Sequence, residues 1–184
     1  MKFIRLEIPD IILIEPCVYQ DDRGYFLESF RLDKLSEFLD CEIKFVQDNE
    51  SRSNLGVLRG LHYQKPPFTQ TKLIRVITGA ILDVVVDIRK NSPTFGKHLK
   101  IKLDGISKNM LLIPKGFAHG FLTLEDNTIT SYKTDNYYNS EYDSGILYSD
   151  AQIGIDWGLD GSKFILSAKD KAQPLLSEIE SIVV

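Results

Sequence analysis

The chain has 184 residues, 43% of them hydrophobic and 26% charged, with a net charge of −4, which suits one compact domain over residues 1–184 built on its own core. A pI of about 5.4 and a mean hydropathy of −0.13 argue against nucleic acid or an anionic membrane as the partner, since neither is drawn to a mildly acidic surface. No apolar run approaches the ~20 residues that span a bilayer, the opening stretch is broken early by Glu7 and Asp10, and two cysteines, Cys17 and Cys41, are too few for a disulfide framework, so the expectation is a cytoplasmic protein.

The first predicted element is a helix over residues 32–39, where Leu32, Leu35, Phe38 and Leu39 recur three to four apart. After it the chain reads as short strands separated by turns. Lys72 to Thr78 is rich in β-branched residues and stops at Gly79. Residues 81–89 place Leu82, Val84, Val86 and Ile88 on one face, leaving Asp83 and Asp87 on the other with Ile81 and Val85. Asn91-Ser92-Pro93-Thr94 is a turn, and His98 to Leu103 alternates again. Further strands are predicted at 110–113, 120–124 and 129–134, and the stretch from Lys171 onward reads as a packing tail. Many short strands at near-regular spacing predict an all-β barrel or double-sheet jelly roll with one or two short helices.

Three histidines can be weighed individually. His98, in an alternating strand, reads as a surface or packing residue. His62 lies in Leu58-Arg59-Gly60-Leu61-His62, where a glycine interrupts a strand pattern, as at a bulge or a close approach to a ligand. Arg59 beside it suits a phosphate or carboxylate. His119 closes the turn Pro114-Lys115-Gly116-Phe117-Ala118-His119, which resembles the second signature of the cupin superfamily of jelly-roll (double-stranded β-helix) barrels. Metal-binding cupins add a His-x-His pair and a glutamate. This chain has His62-Tyr63-Gln64 at the corresponding place, a poor donor set for a metal that takes three protein ligands, so no metal is expected.

Taken together, the pieces resemble one family closely. Asp22-Arg23-Gly24-Tyr25-Phe26-Leu27-Glu28, Gln47-Asp48-Asn49-Glu50-Ser51-Arg52-Ser53, the run from Gly56 to Gln64, Gln70-Thr71-Lys72-Leu73, Ser92-Pro93-Thr94-Phe95-Gly96, Tyr132-Lys133, Tyr137-Tyr138 and Leu166-Ser167-Ala168-Lys169-Asp170 are similar, in order and spacing, to the dTDP-4-dehydrorhamnose 3,5-epimerases. The resemblance implies an isomerase without cofactors, acting at C3 and C5 of a nucleotide-linked 4-keto sugar, in a homodimer. It implies His62 as the base, Asp170 as the carboxylate that orients it, Lys72 as the cation facing the enolate oxygen, and Tyr132 as the acid on the opposite face. For the substrate it implies Arg23 and Arg59 on the diphosphate, Glu28, Gln47 and Asn49 on the nucleoside, Tyr138 stacked on the base, His119 and Lys169 along the sugar and phosphate, and Asp143 among the nucleotide contacts. Asp143 stands where the family commonly has glutamate, one methylene longer.

Read without the family, several of these residues have plainer roles. Asp170 is a solvated charge in a Lys-Asp-Lys run, Tyr132 is packing, and Lys72 is an edge-strand lysine that discourages aggregation. Three other functions compete: a 3- or 5-epimerase of another nucleotide-linked 4-keto-6-deoxy sugar, a metal-dependent cupin enzyme, and a non-catalytic carbohydrate-binding jelly roll.

Overall fold

In the computed structural model, which describes residues 1–183, two antiparallel sheets face each other. One sheet has the order β1 (Lys2–Arg5), β2 (Ile12–Glu15), β10 (Met110–Ile113), β7 (Lys72–Thr78), β12 (Thr128–Thr134), β5 (Gln47–Ser53). The other runs β13 (Asp143–Gly145), β6 (Leu58–Gln64), β11 (Phe117–Thr123), β8 (Ala80–Asp87), β9 (His98–Asp104). A separate hairpin, β3 (Val18–Asp21) and β4 (Gly24–Leu27), two α-helices, α1 (Leu32–Leu39) and α2 (Ala168–Lys171), and two 3-10 turns at Gly161–Lys163 and Leu176–Glu178 complete the set. The architecture is the all-β jelly roll that the strand pattern predicts, of the cupin type that the resemblance at the His119 turn implies.

Side-chain alternation sorts the core into layers. Between the sheets lie Ile74 and Val76 of β7, Leu111 and Ile113 of β10, Ile81 and Val85 of β8, and Phe117 and Phe121 of β11. The opposite parity of β8, Val84 and Val86, faces away from the barrel and is covered by the C-terminal part of the chain through Ile146, Ile153, Trp157, Leu176 and Ile182. The predicted packing tail is therefore part of the core, and Ile182 also forms a bridge to Arg89. On the outer face of the larger sheet, α1 seats Leu35 against Ile12, Ile14, Leu73 and Leu112. It ends at Asp40, whose φ of 53° is left-handed.

The helix and the strands at 72–78 and 110–113 match their predicted bounds. The β11 strand begins at Phe117, three residues before the predicted start, because Gly116 (φ 85°) closes the preceding turn and lets Phe117 pair at once with Asp87. The β8 ladder ends at Asp87, two residues short of prediction. There the carboxylate accepts from the Arg89 backbone N–H and side chain and from the Ser92 and Thr94 hydroxyls, turning the chain away. Strands β1 to β4, ahead of the helix, were not among the predicted elements.

Candidate active site

The site is built at the bulge in β6. His119 of β11 pairs with His62, whereas Phe121, two residues on, pairs with Arg59, three residues back. The extra residue reverses the alternation, so Arg59 and His62 both face into the barrel while Leu58, Leu61 and Tyr63 pack outward. Gly60 makes this possible: its φ is 131°, and a Cβ there would lie 2.4 Å from the Gly120 Cα. Of the two expectations at this glycine, the bulge is present, and the close approach there is to the backbone of the neighbouring strand.

His62 donates from Nε2 to Asp170 Oδ1 at 2.5 Å, which leaves Nδ1 as the ring's basic nitrogen. Asp170 is held in turn. Ser167 caps α2, accepting the Asp170 backbone N–H at 3.0 Å and donating its hydroxyl to Asp170 Oδ2 at 2.7 Å. Burial pushes the Asp170 carboxyl up, but hydrogen bonds from His62, Ser167 and the Gly60 backbone outweigh it and the group sits below the ordinary carboxylate value. Asp170 is buried, so its reading as a solvated charge fails.

Tyr132 comes from β12 of the larger sheet and His62 from β6 of the smaller one, and both line one cleft. They therefore approach it from opposite walls. Burial raises the Tyr132 hydroxyl above the ordinary phenol range, with the Arg59 cation opposing and Asp143 adding to the rise, so the phenol keeps its proton at neutral pH. Lys72 projects inward from β7 with Ile74 and Val76, and its Nζ reaches toward the His62 carbonyl at 3.5 Å. Strand β7 lies between β10 and β12, which removes the edge-lysine reading. Burial pulls the Lys72 ammonium down to about 8, against the carboxylates of Asp143 and Asp83.

Two adjoining lobes make up the cleft, of about 380 and 350 Å³, with Asn49, His62, Lys72, Tyr132 and Lys169 shared between them. The first lobe adds Arg59, His119 and Asp170, and the second adds Gln47, Tyr138 and Asp143. Gln47 and Asn49 stand on the inner face of β5, with Gln47 donating to Asn49 at 2.9 Å. Asp143 takes an ion pair from Lys169 and a hydrogen bond from the Tyr138 hydroxyl at 2.9 Å. Eleven predicted site residues thus share one cleft. Arg23 and Glu28 stand apart from it. Arg23 lies on the β3–β4 hairpin, engaged with Asp21, and Glu28 pairs with Arg31 at 3.0 Å.

Four participants were missed in the sequence. Ser167 is legible only as a helix cap, Glu50 and Ser51 line the first lobe, and Asp83 is buried inside the barrel with its carboxylate on His119 Nε2 at 2.9 Å. Among the described residues no group of three or more His, Cys, Asp and Glu side chains is placed to hold a metal ion.

A jelly roll that presents an imidazole–carboxylate pair and a protonated phenol on opposite walls, with a lysine between the sheets, is equipped to move a carbon-bound proton from one face of a sugar to the other; its class is that of the isomerases that epimerise sugars. The family model described as dTDP-4-dehydrorhamnose 3,5-epimerase matches residues 5–178. The dTDP-4-dehydrorhamnose 3,5-epimerase of Escherichia coli (strain K12) is 49% identical over 179 residues, covering 97% of this chain and 96% of its own. Among solved structures, the dTDP-6-deoxy-D-glucose-3,5-epimerase of Legionella pneumophila Philadelphia 1, in complex with dTDP-4-keto-L-rhamnose, superposes with a TM-score of 0.93 at 46% identity over 97% of this chain and 94% of that one. The dTDP-4-dehydrorhamnose 3,5-epimerase of Bacillus anthracis str. Ames, with TDP and PPi bound, gives 0.90 at 48% identity over 95% and 98%. The chain belongs to the dTDP-4-dehydrorhamnose 3,5-epimerase family.

Proposed function

We propose that the protein converts dTDP-4-dehydro-6-deoxyglucose to dTDP-4-dehydro-L-rhamnose, on the way to dTDP-L-rhamnose, without metal or organic cofactor. The observation that carries this reading is the placement of His62 and Tyr132 on opposite sheets of one cleft, with Asp170 fixing the imidazole. A hydrogen on the carbon beside the ketone is acidic because its electron pair can move onto the carbonyl oxygen. His62 Nδ1 takes that proton, and the imidazolium is stabilised by the Asp170 carboxylate. The electron pair becomes an enolate whose oxygen is held by the Lys72 ammonium. Tyr132 then delivers its hydroxyl proton to the carbon from the other face. One proton leaves and one arrives, with configuration inverted, and exchange with solvent restores the imidazole and the phenol. The same cycle at the second carbon completes the reaction.

Substrate contacts follow from the lining. Arg59, which donates to the Ser53 hydroxyl at 3.2 Å, and Lys169 take the diphosphate. Gln47 and Asn49 bind the nucleoside, Tyr138 stacks on the base, and His119 and Asp143 border the sugar. Arg23 and Glu28 belong to this set only if another copy supplies them. The β3–β4 hairpin exposes Tyr19, Tyr25 and Phe26 at 61, 55 and 67%, an aromatic surface suited to burial against a second chain. In the proposed homodimer, the hairpin of one copy reaches the cleft of the other. The two free, exposed thiols, Cys17 and Cys41, fit a reducing cytoplasm.

The reaction is tested by incubating chelator-treated protein with dTDP-4-dehydro-6-deoxyglucose in heavy water. Deuterium at both C3 and C5 of a rhamno-configured product is expected. Deuterium at one carbon only would mean a monoepimerase, and activity that returns only with added metal would overturn the cofactor-free mechanism.

A further inference from the structure

The barrel interior holds a carboxylate that the proposed mechanism leaves unused. Asp83 is 0% exposed in β8, on the inner parity shared with Ile81 and Val85. Its Oδ2 accepts from His119 Nε2 at 2.9 Å. Its Oδ1 has no hydrogen-bond partner, one of two buried side-chain polar atoms so placed among the described residues. A buried carboxylate with one oxygen unpaired by the protein is unfavourable for stability, and such a group calls for a reason to be there.

Two cleft residues connect Asp83 to the chemistry. His119 lines the cleft and is otherwise buried; donating Nε2–H to Asp83 fixes its neutral tautomer and leaves Nδ1 as the acceptor. Lys72 projects into the same interior from β7, and the Asp83 charge is among those that support its ammonium. We infer that Asp83 is a positioning residue for epimerisation, a buried counter-charge that locks the His119 ring at Nε2 and serves the Lys72 ammonium. The inference rests on the role proposed above for Lys72.

Asp83→Asn keeps the shape and removes the charge. The groups facing the Lys72 ammonium are Asp143 from β13, Asp83 from β8 and Lys169 from α2, with Glu50, Arg59, His62, His119, Tyr132 and Asp170 around the same cleft; the variant removes only one of these charges. Losing a neighbouring anion lowers an ammonium pKa, so the alkaline limb of kcat is expected to move to lower pH. The kcat is expected to fall at least about tenfold, with KM held within about twofold, because the lost support acts on the enolate and not on nucleotide binding. Should the asparagine not be accommodated, the smaller Asp83→Ser gives the same readout. A folded variant with unchanged kcat overturns the inference, and so does a lowered kcat with an unmoved alkaline limb, which is the mark of a merely structural role. NMR titration of the Lys72 amine in wild type and variant reads the same coupling without turnover. Failure of the wild-type enzyme to take up deuterium would instead strike the proposed function.

Discussion

At the residue scale the site divides its chemistry by environment. Burial affects the phenol and the ammonium in opposite senses: Tyr132 is raised and stays protonated as an acid, while Lys72 falls to about 8 and sits near the edge of its charged range. A lysine below its pKa is charged, so the stabilised enolate is available at lower pH and lost as pH rises through about 8; a kcat profile descending on the alkaline side near that value is expected. Lys72→Met removes the cation altogether, and a loss of about 10²–10³ in kcat is expected in a steady-state assay, the size typical of removing one oxyanion donor. Tyr132→Phe should spare proton removal by His62 while blocking delivery from the other wall. Solvent exchange at the carbon beside the ketone should then continue as epimerised product falls, and an unchanged product ratio would count against the acid role.

At the scale of elements, the bulge in β6 decides whether the site exists. Arg59 and His62 are three apart, a spacing that in a regular strand puts them on opposite faces, and only the extra residue at Gly60 turns both inward. Gly60→Ala meets the Gly120 Cα at 2.4 Å and a φ of 131°. Strain of about 1–3 kcal/mol is expected, read as a fall of roughly 2–4 °C in Tm per kcal/mol for a chain of this size, together with loss of activity as β6 shifts. A variant with native stability and native kcat would contradict the role given to the bulge. This element was partly legible in the sequence, since a glycine between an arginine and a histidine in a strand pattern announces a break. The central strands were legible for a similar reason: Lys72-to-Thr78 is rich in β-branched residues and stops at a glycine, and Met110-to-Ile113 is a continuous apolar run buried on both faces. The short N-terminal strands were not, because Lys2–Arg5 and Val18–Asp21 carry exposed polar residues and no clean alternation. The inward carboxylate of Asp83 was visible as a charge among Ile81 and Val85, but its partner His119 is 36 residues away and only the β8–β11 pairing brings them together.

At the scale of the molecule, two of the predicted contacts do not meet the cleft within one chain. Arg23 and Glu28 matched the family by position, and no local pattern in the sequence distinguishes a side chain that serves its own cleft from one that serves a neighbour's. The proposed homodimer resolves this in a way that can be measured. Arg23→Ala alone should raise KM by weakening the diphosphate grip, and His62→Ala alone should be inactive. Co-expressed, the two variants form mixed dimers in which the Arg23→Ala copy keeps its own His62 and receives Arg23 from the other chain. Activity well above that of either variant is expected. Activity no greater than the sum of the separate variants would place Arg23 on its own cleft or outside the site.

Exchange catalysed by His62 is the step on which the account turns, and proton NMR in heavy water reads it directly. Wild-type enzyme should replace the hydrogens at C3 and C5 of dTDP-4-dehydro-6-deoxyglucose with deuterium, while a folded His62→Ala variant should leave both in place over the same time. Retention of most of the wild-type exchange rate by that variant would show that another group removes the proton.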